Sequence, residues 1–170
     1  MKINSYYISL VIMVIVQILI CNYVNLSPIV TISILPVVIL CLPIKTGSIS
    51  AMALAFISGL AVDLLADGIL GLNALALVPV AFLRREVLTS IFGSGIFAMK
   101  ENLSYHKHGI GRIAIALVFV QALFLIIYII ADGAGTRPLA FNLVRFTASL
   151  ITGSLLSMAL VFILTNDDRN

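Results

Sequence analysis

From Ile113 to Ala131 the chain reads IAIALVFVQALFLIIYIIA, without one charged side chain. A helix crosses the hydrocarbon core of a bilayer in about 20 predominantly apolar residues, within a range of about 17–25. Runs of this kind recur along the chain, and a soluble core has no room for them. Of the 170 residues, 62% are hydrophobic and 10% charged, against roughly 45–50% and about 25% in soluble domains. Lipid is therefore the expected solvent for much of the surface. Lipid offers no partner to a backbone N–H or C=O, so runs of this length are expected to be helices. The expectation is an all-α, polytopic membrane protein.

Taken in order, the apolar runs predict six transmembrane helices, at about 6–24, 26–42, 47–65, 69–83, 113–131 and 142–164, in a single integral membrane domain over 1–170. The first run follows Lys2, and no small-x-small cleavage site follows it, so it reads as an uncleaved span. Tyr6, Tyr7 and Tyr23 bracket it as interfacial anchors. Gln17 is its polar interior residue, placed to bond a neighbouring helix. The second run holds Pro28 in its first turn, Pro36 internally, where a kink is expected, and Pro43 at its exit. The fourth is short and contains Pro79, which with the turn before it suggests a re-entrant region packed against protein. It ends at Arg84-Arg85-Glu86. Residues 84–112 then read as a loop whose apolar positions, from Leu88 through Phe92 to Met99, lie on the headgroups. Gln121 sits in the middle of the fifth span, and Asp132 to Pro138 reads as a turn-rich surface loop.

Lys and Arg near span ends favour the cytoplasmic side. Six spans with both termini cytoplasmic put eight Lys and Arg residues inside and two, Arg137 and Arg145, outside. A five-span arrangement without the second run splits this bias against itself. The loop 84–112 is thus expected on the cytoplasmic face, and Asp63 and Asp67 on the other.

The third run carries small residues every four positions, Gly47, Ala51, Ala55 and Gly59, and the same spacing lands on Asp63 and Asp67. Residues four apart stack on one helix face. This ridge can bring another backbone close, as small-xxx-small interfaces do. It ends in carboxylates, and Asp63 lies among Ala61, Val62, Leu64 and Leu65, where an ionised group needs a partner. Gly68 and Gly71 supply a turn, and the Asn73 side-chain oxygen is placed to cap the next helix. Ser149, Gly153 and Ser157 form a second small column in the sixth span.

Little here suggests catalysis. The spans contain no His, Lys or Glu, and the hydroxyls have no basic partner in sequence. No HExxH, P-loop or Gly-x-Ser-x-Gly pattern occurs. Cys21 and Cys41 have no metal spacing and read as apolar fillers. His106 and His108, in a polar stretch without a third ligand, read as solvated. No metal, cofactor or nucleic acid is expected.

The order Gly59-Leu60-Ala61-Val62-Asp63, then Gly68, then Gly71-Leu72-Asn73-Ala74-Leu75, with a span ending Phe82-Leu83-Arg84, resembles the rod shape-determining protein MreD family. The likeness is sharp over Gly59 to Arg85 and extends loosely, by size and span count, over the whole chain. It implies a non-catalytic scaffold of the bacterial cell-elongation complex in the cytoplasmic membrane. The implied partner is MreC, a single-span protein, alongside RodA, an elongation penicillin-binding protein and MreB. Gly59, Asp63, Asp67, Gly68, Gly71 and Asn73 match the family's motif and are expected to shape the outer ends of spans three and four. Arg84 and Arg85 are expected to meet lipid headgroups or a cytoplasmic partner. That family is similar in architecture to the substrate-binding subunits of energy-coupling-factor transporters, so the alternative is a membrane subunit binding a vitamin-type solute near Asp63 and Asn73.

Overall fold

A computed structural model of the chain describes residues 2–23, 30–93, 95, 109–133 and 137–166, with side chains from 8 to 162 within those ranges, Asp67 excepted. It is all-α, with no strand among the described residues. The helices are α1 (Lys2–Tyr23), α2 (Leu35–Leu40), α3 (Ser48–Val62), α4 (Leu72–Phe92), α5 (Ile110–Gly133) and α6 (Leu139–Asn166). A π-helical turn, Asp63–Asp67, extends α3.

Helix α5 is apolar on both faces, and the two differ in what covers them. Along α5, Ile113, Leu117, Val120, Phe124 and Leu125 are buried, whereas Ile115, Phe119, Ile126 and Ile130 are exposed. A water-facing helix would carry polar groups on the second face. Along α1 the inward stripe is Leu10, Val14 and Gln17, and Ile8, Val11, Ile15 and Leu19 face outward. Three helices are long and apolar enough to cross a membrane: Ser48–Ala66, Ile110–Gly133 and Leu139–Phe162. A shorter apolar helix spans Ile8–Tyr23.

Helices α3, α4, α5 and α6 pack in chain order, each against the next, and α1 lies against α2, α3 and the π-turn. Between α4 and α5 sits α2, all six of whose residues are buried.

Two elements differ from the sequence expectation. The second run, expected as a helical span over 26–42, is a helix of 6 residues preceded by non-helical chain from residue 30 to Ile34. Pro36 falls in the first turn of α2 and starts the helix; it does not kink a longer one. The fourth helix does not stop at Arg84. It runs on to Phe92, with Val87 and Leu88 buried, so the start of the expected headgroup loop is core helix. At its other end, Ile110 to Arg112 already belong to α5, and residues 94 and 96–108, which include His106 and His108, lie outside the described residues.

Candidate functional site

Asp63 is the centre of the best-defined polar site. Its carboxylate is fully buried, yet it is not bare. Oδ1 accepts from the Asn73 backbone N–H at 2.9 Å and from Asn73 Nδ2 at 2.9 Å. Oδ2 accepts from the Gly71 N–H at 3.0 Å and the Ala74 N–H at 3.2 Å. The first N–H groups of a helix have no intrahelical acceptor and carry the positive end of its dipole. Asp63 supplies that acceptor to α4 from outside the helix, so no residue of α4's own start is needed as a side-chain cap. The expected role of Asn73 is thus corrected: its amide donates to Asp63, and the capping oxygens are the aspartate's.

Sequence spacing explains how the carboxylate arrives there. One turn earlier on the same face is Gly59, and a Cβ at that position would lie 2.6 Å from Ala74 Cα and 2.6 Å from its N. Glycine lets the start of α4 touch α3, and that contact places Asp63 over the exposed N–H groups. The π-turn closes with the Gly68 N–H on the Asp63 carbonyl at 2.9 Å. Gly68 and Gly71 then take φ of 70° and 90°, left-handed values that other residues adopt at a cost. These let the chain reverse in a few residues. An ionised carboxylate offers about four acceptor positions, and four donors occupy them, so Asp63 has no open position for a solute.

A second polar network was only partly visible in the sequence. The chain from residue 30 to Ile34 is not helical, and its backbone groups are met by side chains from three helices. Gln17 of α1 donates from Nε2 to the Ile32 carbonyl at 2.9 Å and accepts the Ile34 N–H on Oε1 at 2.9 Å. Gln121 of α5 donates to the Ser33 carbonyl at 3.2 Å. Ser149 of α6 accepts the Thr31 N–H at 2.9 Å. Gly153 makes room for Gln121: a Cβ there would stand 2.5 Å from Nε2. Gln17 was expected to bond a neighbouring helix; its partner is this non-helical backbone.

Arg145 closes the same end. It donates to the Thr31 hydroxyl from Nε at 3.2 Å and Nη2 at 3.0 Å, forms an ion pair with Asp132, and lies over the Tyr128 ring at 5.8 Å from its centroid. Asp132, expected in a surface loop, belongs to the last turn of α5 and also pairs with Arg137 at 2.8 Å.

The remaining expected site residues separate clearly. Ala51, Ala55, Gly59 and Asp63 form a buried ridge against α4, whereas Gly47 is exposed at the start of α3, where a Cβ would meet no atom within 4 Å. The Asp67 side chain is outside the described ones. Ser149, Gly153 and Ser157 are all buried, and Ser157 Oγ has no partner among the described residues. Arg84 points inward. Its Nε donates to the Leu40 carbonyl at 3.2 Å and its Nη2 to the Leu42 carbonyl, at the C-terminal end of α2. Of the arginine pair expected to meet lipid, only Arg85 is exposed. The residues missed from the sequence, Thr31, Arg145 and the inward Arg84, had one available signal. A proline-rich apolar run cannot satisfy its own backbone, so polar side chains elsewhere must do so.

Among the described residues, no group of three or more His, Cys, Asp or Glu is placed to hold a metal ion. No protein-family model, no curated protein and no solved structure matches the chain.

Proposed function

We propose that the chain is a non-catalytic membrane scaffold of the MreD type, in the cell-elongation complex that guides bacterial peptidoglycan synthesis, and that it binds the transmembrane helix of an MreC-like protein. The observation that carries this reading is the use made of the motif over Gly59 to Asn73. Its small residues and its carboxylate hold two helices together, with all four acceptor positions of Asp63 engaged by Gly71, Asn73 and Ala74. Such a motif builds a rigid post. Docking then falls to the apolar outer faces. Of the three helices long enough to span, α6 is the least buried, with 28% of its apolar stretch covered, and Leu143, Ile151 and Leu155 face outward. We assign the partner helix to that face.

In the same reading the chain crosses the bacterial cytoplasmic membrane six times, with the run at about 26–42 making the second passage and both termini inside. RodA, the elongation penicillin-binding protein and MreB are reached through the complex. The solute-binding alternative has less support, because Asp63 and Asn73 engage one another.

Photo-crosslinkers at Ile151 and Leu155, with Ile115 and Phe119 of α5 as controls, test the docking face in cells expressing the MreC-like protein. Crosslinks concentrated on α6 are expected. Crosslinks to that protein from no exposed position, with the chain correctly inserted, overturn the reading. Cysteine labelling of intact cells tests sidedness: a label at Gly47 without permeabilisation contradicts the topology.

A further inference from the structure

A basic cleft lies where the start of α3 faces the middle of α4, away from Asp63. Its volume is about 230 Å³, and Lys45, Thr46, Gly47, Ser48, Arg84 and Arg85 line it. None of its lining residues is acidic. Its chemistry comes from two parts of the chain that are separate in sequence, the entry into α3 and the middle of α4.

Arg84 is the fixed part. It is 5% exposed, and the Leu40 and Leu42 carbonyls hold its Nε and Nη2. This pinned guanidinium forms part of the cleft wall. Lys45 and Arg85 are exposed at the rim. The start of α3 is the opposite wall. Gly47 provides no side-chain cap, so the N–H groups of the first turn have no intrahelical acceptor and bring positive dipole charge.

We propose that this cleft binds a phosphate group. Positive charge and donors arrive from several directions: a pinned guanidinium, a lysine point charge, two hydroxyls and a helix start. A tetrahedral oxyanion can use that spread, whereas a planar carboxylate is served by one arginine fork. The group belongs either to an anionic phospholipid or to a soluble phosphate compound, since both present the same oxygens. The exposed Ile49 immediately beyond Ser48 puts the cleft at the margin of an apolar surface, where headgroups lie. Phosphate binding here does not depend on the scaffold reading.

The full chain in phosphatidylcholine nanodiscs tests both sources. Native mass spectrometry with added cardiolipin reads the lipid arm, and calorimetric titration with inorganic pyrophosphate reads the soluble arm. Lys45→Ala/Arg85→Ala removes the two exposed cations and leaves Arg84 in place. Arg112→Ala/Arg137→Ala removes two cations elsewhere as a control for general charge. At about 1 kcal/mol per cation, retention of the bound probe should fall roughly ten- to thirtyfold in the first pair and little in the second. Restoration by Lys45→Arg/Arg85→Lys is expected. Selective binding of either probe with that pattern supports the proposal and names the source. Absence of selective binding by both probes, or equal loss in both pairs with the helical circular dichroism intact, overturns it. Should the first pair lose its fold, single Lys45→Gln and Arg85→Gln variants read the same outcomes.

Discussion

Gly59 and Ala74 are in backbone contact: a methyl group on Gly59 would lie 2.6 Å from the Cα of Ala74. The obstacle is main chain, so no side-chain rotation relieves it. Gly59→Ala should therefore lower stability by about 1–3 kcal/mol, the usual range for overpacking, and Gly59→Leu should prevent recovery of folded protein. Gly47→Ala, at a position with no atom within 4 Å of the new methyl, should be close to neutral. Thermal unfolding in detergent compares the three.

Asp63→Asn keeps the shape and removes one acceptor. An amide nitrogen then faces either the Gly71 and Ala74 N–H groups or those of Asn73. Leaving a buried donor unsatisfied costs about 1–3 kcal/mol. Hydrogen exchange should accelerate at the first amides of α4, with little change at the far end of that helix. Asp63→Ala, which strands more donors, should be worse. Equal protection of those amides in wild type and Asp63→Ala would contradict the assigned capping role.

Gln17→Leu preserves bulk but leaves the Ile32 carbonyl and the Ile34 N–H without the partners they have now. A loss of about 1–3 kcal/mol for each group is expected. Gln17→Glu should not rescue, because a carboxylate accepts from Ile34 but cannot donate to Ile32 when ionised. Unfolding midpoints of the two variants check this.

Gly153→Ala should act through Gln121, whose side-chain nitrogen would stand 2.5 Å from the new Cβ. Displacing that amide breaks its bond to the Ser33 carbonyl. In a Gln121→Ala background the same Gly153→Ala change should cost much less. A double-mutant cycle should give coupling within the range of about 0.5–3 kcal/mol seen for contacting residues. Additive effects would show that the two sites do not communicate.

The ridge from Ala51 to Asp63 could be read from the sequence because a helix repeats its faces locally. Four-residue spacing needs no knowledge of any partner, and the structure buries that ridge against α4. The turn at Gly68 and Gly71 was legible for a similar reason, since left-handed backbone favours glycine. The 26–42 stretch was not legible. Hydropathy records side chains, and by that measure the stretch is a span; what breaks its helix is a backbone whose hydrogen bonds go to Gln17, Gln121 and Ser149. Those partners are distant in sequence and carry no marker of their target. Arg84 misled for the opposite reason. Next to Arg85 and Glu86 it resembles a span end, yet it alone of the arginine pair turns inward, to the end of α2.

The non-helical chain around Thr31 has a consequence for biogenesis. Thr31 bonds Ser149 across 118 residues of sequence, and Ser33 bonds Gln121 across 88. The ribosome delivers Thr31 and Ser33 long before either acceptor or donor exists. Until α5 and α6 emerge, those peptide groups have to remain hydrated or be sheltered by the insertion machinery, and the nascent chain can settle this segment only when α6 arrives.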